Sequence, residues 1–334
     1  MTPTVTRKAA TLHDVAREAG VSPITASRAL SNPGLVSPQT IARVQQAVVA
    51  TGYIPNLVAG GLKSQRSLMV AAVVPHISVA QFLPTLQALT ESLAAAGYQL
   101  ILGQSGYDER REEAILNTMI GRRPDGIVVT GLVQAEQARE RLKRLGIPIV
   151  ETWDLSDRPI DMMVGFSHLK VGSAVAGYCL GKGWRRFAIA TGDDHRALLR
   201  REGFLSAVGH DVPTAMVPAP SNMALGRQAL GTLLRQDRGL EVIFCSSDQL
   251  AQGVIVEAQA RGLRIPDDLA ICGFGDADFA AHMVPSLTTV HVDGAAIGST
   301  AARLILARCN GQAVDAPVVD IGFRIEERRS TGGP

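Results

Sequence analysis

Apolar residues recur along the chain with two different periods, and the change of period divides it. Up to about residue 52 they fall in short runs at helical spacing. Leu12, Val15, Ala16 and Ala19 form one stripe, with Thr11 three residues before Asp14 at its start and Gly20 at its end. Ser22 then stands as a cap ahead of Pro23, which occupies a first helical position where a missing N–H costs nothing. The run 24–30 continues to the breaker Ser31-Asn32-Pro33-Gly34. Ser37-Pro38 repeats that signal, Ile41, Val44, Ala47 and Val48 supply an apolar face, and Gly52 closes it. Three short helices are predicted, the second reached after a very short turn. This is the helix-turn-helix pattern, whose second helix can present Pro23, Ile24, Thr25, Ser27 and Arg28 to base edges in a major groove. A three-helix mini-bundle without a DNA role satisfies the same pattern.

Beyond Arg66 short apolar strands alternate with amphipathic helices. Strands are predicted at 68–74, 98–102, 126–129 and 147–150, separated by helices at 82–96, 109–121 and 134–145. After an irregular stretch around 154–160 the alternation resumes, with strands at 187–190, 212–217, 242–245 and 269–272 and helices at 171–182, 198–208, 224–235 and 250–262. This order predicts two doubly wound α/β halves, each built on a parallel sheet. Ligands in open α/β sheets bind at the carboxyl ends of the strands, so the cleft between the halves is the expected small-molecule site.

Charge sharpens the division. Residues 1–66 hold seven Lys/Arg against Asp14 and Glu18, a balance of +5, while the rest holds 26 against 29, a balance of −3. A basic head on a mildly acidic body is the asymmetry expected when one end meets a polyanion. The 334 residues exceed one ordinary domain and 46% of them are hydrophobic, enough for a sizeable core. The apolar run 68–75 is far too short for a membrane span, and the first ten residues lack a secretory apolar region. The chain is therefore read as soluble and cytoplasmic. Cys179, Cys245, Cys272 and Cys309 are widely separated and are expected to be buried free thiols, and the seven histidines show no metal-ligand spacing. No zinc-protease, serine-elbow or Walker motif is present, and Gly273-Phe274-Gly275 supplies only the opening of a dinucleotide fingerprint. Neither an enzyme nor a cofactor is expected. A free sugar-binding protein, the other alternative, would need a secretory leader in place of the basic head.

Thr11-Leu12-His13-Asp14-Val15-Ala16, Gly20-Val21-Ser22, Thr25, Ser27-Arg28 and Leu30 resemble the head of the LacI/GalR family of repressors. Val36-Ser37, Gly52-Tyr53-Ile54-Pro55-Asn56 and Ala59-x-x-Leu62 extend the likeness through a hinge. Arg122-Arg123-Pro124-Asp125-Gly126-Ile127, Gly203-Phe204, Ser247-Asp248, Ile271-Cys272-Gly273-Phe274 and Leu287-Thr288-Thr289-Val290 carry it through the body. The resemblance implies a head at 1–56, a hinge at 57–66 and a body at 67–334 of periplasmic-binding-protein type. One subdomain would comprise 67–165 and 293–322, the other 166–292 and 323–334. It implies that Ile24, Thr25 and Arg28 read bases alongside Pro23, and that Thr11, Ser22, Ser27 and Asn56 position the backbone. Ala59, Leu62 and Lys63 would serve in the hinge, with Leu62 wedged into the minor groove. Ile24 cannot hydrogen-bond a base and could at most touch a thymine methyl. Gly60-Gly61 raises the cost of ordering the hinge as helix by about 1 kcal/mol per glycine.

By the same likeness the cleft is lined by Ser78, Gln81, Phe82, Thr130, Trp153, Phe166, Arg200, Ser247 and Asp276. Core packing is the competing account of Phe82, Trp153 and Phe166, and a solvated helix end that of Arg200. Glu151-Thr152-Trp153-Asp154, Gly165-Phe166-Ser167, Gly273-Phe274-Gly275-Asp276 and Asp278-Phe279-Ala280-Ala281-His282 resemble the branch of gluconate-operon repressors. Gly275 falls where sugar-responsive relatives commonly place an Asp. The implied effector is a sugar acid gripped by Arg200, with a neutral sugar as the alternative. The implied partners are operator DNA and a second copy of the chain. The sequence ends without a heptad tail, so a tetramer through such a tail is not expected.

Overall fold

A computed structural model of the chain describes residues 10–54 and 66–333. The chain divides into two compact units, Met1–Ser67 and Leu68–Pro334. In the first, helices α1 (Leu12–Glu18), α2 (Pro23–Ser31) and α3 (Pro38–Thr51) close on a core of Val15, Ala16, Ala19, Ala26, Ala29, Val44 and Ala47. Each helix starts where its cap dictates. Thr11 and Asp14 form a reciprocal capping box, with Thr11 N donating to Asp14 Oδ2 at 2.9 Å. Ser22 Oγ accepts from Thr25 N at 3.1 Å, and Ser37 Oγ from Thr40 N at 3.4 Å, each ahead of a proline at the start of its helix.

The second unit is built on two six-stranded sheets. The first contains β1 (Met69–Val74), β2 (Gln99–Gln104), β3 (Gly126–Thr130), β4 (Ile149–Thr152), β5 (Met162–Gly165) and β11 (Val318–Asp320), in the order β11-β5-β4-β3-β1-β2 and parallel throughout. The second contains β6 (Phe187–Gly192), β7 (Thr214–Val217), β8 (Val242–Cys245), β9 (Ala270–Phe274), β10 (Thr288–His291) and β12 (Arg324–Glu326), in the order β12-β10-β9-β8-β6-β7. Only the β10–β12 pair is antiparallel. The first sheet is flanked by α4 (Leu83–Ala95), α5 (Glu109–Gly121), α6 (Glu136–Arg144) and α11 (Gly294–Cys309), the second by α7 (His168–Gly181), α8 (His195–Val208), α9 (Met223–Gln236) and α10 (Asp248–Ala260). The parallel strands are apolar on both faces because helices cover both sides. The chain passes between the sheets after Gly165, after His291, and between Asp320 and Arg324.

Several elements depart from the sequence reading. The strand β5 directly follows the irregular stretch, and it, α11 and the strands β10 to β12 were not predicted. Cys179, Cys245 and Cys272 are buried thiols as expected, whereas Cys309 is only half-buried.

Close helix contacts hold the site elements in place. Gly172 on α7 lies against the backbone of α8, where an added Cβ would overlap the Arg200 carbonyl oxygen, and Gly203 on α8 presses in the same way on Leu169 of α7. Backbone cannot yield as a flexible side chain can. Gly172→Ala is therefore expected to cost about 1–3 kcal/mol through overpacking, read as a lowered urea midpoint with an unchanged slope. An unshifted midpoint would show that the two helices separate freely.

Candidate functional site

On the outer side of α2, Ile24, Ser27 and Arg28 are exposed while Ala26 and Ala29 face the core. Pro23 and Thr25 are half-buried. The Thr25 hydroxyl lies 2.8 Å from that of Ser22, so it belongs to the cap as well as to the surface. Ile24 is 66% exposed, an apolar side chain in water at the start of a helix that otherwise presents polar groups. Thr11 and Ser22 are also exposed, at the starts of α1 and α2. Asn56, Ala59, Leu62 and Lys63, with Gly60 and Gly61, lie outside the described residues.

In the body a cavity of about 450 Å³ opens at the carboxyl ends of the strands of both sheets. Pro75, Gly106, Thr130, Gly131 and Asp154 line it from the first sheet, and Asp193, Asp194, His195, Arg196 and Ala219 from the second. Thr130 is the predicted effector residue found on its wall. Phe82, Trp153 and Phe166 are brought together beside it, but each is at most 1% exposed. Phe82 meets Trp153 edge-on at 5.1 Å, Trp153 meets Phe166 at 5.9 Å, and Phe166 lies 6.1 Å from Phe274. The rings form the seam between the sheets, and in this arrangement they pack on one another.

Arg200 sits in that seam, 4% exposed, and is not a solvated helix end. Its guanidinium lies 3.9 Å from the Phe274 ring centre, Nη1 meets His168 Nδ1 at 2.9 Å, and Nη2 donates to the Ser246 carbonyl at 2.9 Å. His168 Nε2 lies 2.9 Å from the Trp153 carbonyl, which can only accept, so the imidazole carries its proton on Nε2 and offers Nδ1 as acceptor. Burial, reinforced by Arg200 and Arg196, lowers the His168 pKa well below the usual histidine value and keeps the ring neutral. Burial also brings Arg200 down to about 10.

The remaining predicted residues have other partners. Ser247 caps α10 and shares a 2.8 Å hydrogen bond with Ser221. Ser78 bonds His76 Nδ1 at 2.7 Å. Gln81 reaches Gly275, where a Cβ would lie 3.2 Å from its Oε1. Gly275 has φ +124°, a conformation that excludes an unstrained Asp, so the missing carboxylate is also a backbone requirement. Asp276 is bound by Arg328 Nη2 at 2.7 Å and by His291 Nδ1 at 2.8 Å. Beside it the buried Asp248 accepts from the Thr289 hydroxyl at 2.6 Å and from Ala277 N at 2.7 Å.

Comparisons with known proteins agree on what carries this pair of sites. Residues 11–56 match the bacterial regulatory proteins, lacI family, and 176–331 match a periplasmic binding protein-like domain. A relative from Pseudomonas aeruginosa, the HTH-type transcriptional regulator GntR, is 37% identical over 96% of this chain and 95% of its own length. The chain belongs to the lacI family. The Escherichia coli K12 regulator GntR is 30% identical over 96% of this chain and 98% of its own. A LacI-family regulator from Silicibacter pomeroyi superposes with a TM-score of 0.91 at 32% identity, covering 96% and 99% of the two chains. This lacI-family protein is thus a DNA-binding transcriptional regulator whose body has the fold of a ligand-binding domain.

Reading of the sequence did not single out Arg196, His168 or His195 as site residues. Arg196 stands four residues before Arg200 and so on the same helical face, a spacing legible only once α8 is placed at the cleft.

Asp248 gives the regulator a pH-dependent stability. Burial raises its pKa from the ordinary carboxylate range to about 6, with Asp276 adding to the rise and Thr289, Ala277 and Arg328 opposing it. The folded protein therefore holds this proton more tightly than the unfolded chain does. The contribution, on the order of 3 kcal/mol, is full below about pH 4 and is lost as pH rises through about 6. Wild type should lose stability relative to Asp248→Asn between pH 4.5 and 7.5 in paired urea melts. A pH-independent difference would place the titration elsewhere.

Proposed function

We propose that this regulator represses transcription as a homodimer on a pseudo-palindromic operator, and that a sugar acid, gluconate or its phosphate, controls operator affinity from the cleft. In this reading it is a cytoplasmic protein without enzymatic activity. The observation that carries the effector class is the pair of guanidinium groups buried on one face of α8, Arg196 on the cavity wall and Arg200 one turn further on in the seam. Neither forms an ion pair with a carboxylate among the described residues. On the same loop Asp194 Oδ1 accepts from Ala197 N at 3.1 Å and Asp193 Oδ1 from Ala219 N at 2.8 Å, and Asp194 and Asp154 act on Arg200 only through space. A carboxylate supplies the direct charged acceptor that neither guanidinium has, whereas a neutral sugar offers only uncharged oxygens. The gluconate-operon resemblance, including Gly275, supports the same class.

On the head, Arg28 would hydrogen-bond a base edge, with Ile24 against a thymine methyl and Thr25 beside them. Thr11, Ser22, Ser27 and Asn56 would fix the phosphate register, and Leu62, flanked by Ala59 and Lys63, would enter the minor groove. A two-fold assembly follows from size, because one three-helix head alone offers too little interface for specific binding.

Arg28→Ala should cost about 1–3 kcal/mol of discrimination between operator and scrambled DNA in gel retardation at fixed salt. Equal losses on both duplexes would make Arg28 a phosphate contact instead. For the effector, titration calorimetry should give tighter binding of gluconate or 6-phosphogluconate than of glucose or ribose, and the tighter ligand should alter operator retardation. Preference for the neutral sugars would turn the assignment to a neutral-sugar regulator.

A further inference from the structure

We infer that Arg196, rather than Arg200, receives the effector's carboxylate, and that Asp154 takes the hydroxyl on the neighbouring carbon, so that the cleft selects 2-hydroxy carboxylates. The inference rests on the sugar-acid reading above and assigns its chemistry atom by atom.

The two guanidinium groups on α8 are not equivalent. Arg200 has one terminal nitrogen on His168 and the other on the Ser246 carbonyl, and a face on Phe274. That set of contacts ties α7, α8 and the end of β8 together, and it fixes the group as a structural cross-brace. Arg196 is held differently. Its guanidinium rests over the Phe82 ring at 5.1 Å and lies beside Gly131, where even a Cβ would come within 3.4 Å of Nη1. Nη1 itself is buried and has no hydrogen-bond partner among the described residues. It belongs to a side chain on the cavity wall.

Asp154 is the complementary case on the opposite sheet. Trp153, with φ +66°, turns the chain out of β4, and its indole N–H bonds Thr85 Oγ1 at 2.9 Å while its amide bonds the Val164 carbonyl at 3.0 Å. This anchored turn delivers Asp154 to the cavity. One carboxylate oxygen accepts from Leu155 N at 2.9 Å, and the other, Oδ2, is buried without a partner. Arg196 and Asp154 do not pair with each other.

A buried donor lacking an acceptor and a buried acceptor lacking a donor therefore line one cavity. Each such group carries a desolvation cost that a ligand can relieve. A carboxylate relieves the first and a hydroxyl the second, and their occurrence on adjacent ligand carbons describes a 2-hydroxy acid. A phosphate group would satisfy Arg196 but set up to about twice a carboxylate's negative charge beside Asp154. A neutral polyol would satisfy Asp154 but offer Arg196 Nη1 no charged acceptor.

The test is calorimetry on the full-length protein with gluconate, 2-deoxygluconate and glucitol. Wild type should bind gluconate at least about 10-fold more tightly than either analogue, since a site built to hydrogen-bond a hydroxyl discriminates against its loss. Arg196→Gln should weaken gluconate on the order of 100-fold, with glucitol little changed, because one partner of a buried charge contact has been removed. Asp154→Ala, which removes the accepting oxygen and leaves nothing to bond the hydroxyl, should abolish the preference for gluconate over 2-deoxygluconate. Circular dichroism and melting without ligand establish that each variant folds, and the ligand series on wild type needs no variant at all. If Arg196→Gln binds gluconate within about 3-fold of wild type while Arg200→Gln does not, the carboxylate sits on Arg200 and the inference fails with the sugar-acid reading intact. Equal binding of gluconate and 2-deoxygluconate by wild type removes the role of Asp154. Wild type that binds glucose but no sugar acid overturns the sugar-acid reading and this inference together.

Discussion

A guanidinium buried where two sheets meet is the constraint around which the body is arranged. Arg200 touches no carboxylate among the described residues: its hydrogen bonds go to neutral acceptors and its face to a ring, while Asp194 and Asp154 support its charge from a distance. Such support is weaker than a salt bridge and demands that every acceptor stand in place. One acceptor is an imidazole whose other nitrogen is spoken for by the Trp153 carbonyl of the first sheet, and the second is the carbonyl at the end of β8. The cation thus binds elements from both sheets into one unit. The glycine contacts of α7 and α8 serve the same end, because only backbone-to-backbone approach brings His168 and Arg200 within hydrogen-bond range.

This arrangement accounts for the aromatic seam. Phe82, Trp153, Phe166 and Phe274 exclude water from the guanidinium, and Phe274 supplies a face to it. Core packing and service to a ligand site are not opposed here: the rings keep the dielectric low beside the cavity, which strengthens any charged contact made there.

Much of this was legible in the sequence and some was not, for identifiable reasons. Caps and prolines located the starts of α1, α2 and α3 because those signals are local, and the apolar runs located β1 to β4 and β6 to β9 because buried parallel strands are continuously hydrophobic. Met162–Gly165 escaped because four residues directly after a polar stretch carry no period of their own. Val318–Asp320 and Arg324–Glu326 are three residues each, partly charged, and become strands only by adding to edges that other segments create. Arg200 could be singled out by resemblance, but its neighbour Arg196 reads as one more polar residue in an arginine-rich turn. Nothing local distinguishes a solvated arginine from one held against a glycine of the opposite sheet.

Regulation by a ligand requires more than a site, because a molecule that contacts one sheet alone binds open and closed arrangements equally and shifts nothing. The contacts that cross the cleft are therefore the ones able to convert binding into movement. Arg196 crosses from α8 to Gly131, and Gln81 crosses from the first sheet's side to Gly275. Both meet glycines, so the opposing walls approach at backbone distance, and a side chain at either position would hold them apart. The sheets are joined through the segments after Gly165, after His291 and between Asp320 and Arg324, the places where backbone rotation can alter their separation. A charge placed beside Arg196 then acts at one of these close approaches, and its free energy depends on that separation more steeply than that of an uncharged contact within one half.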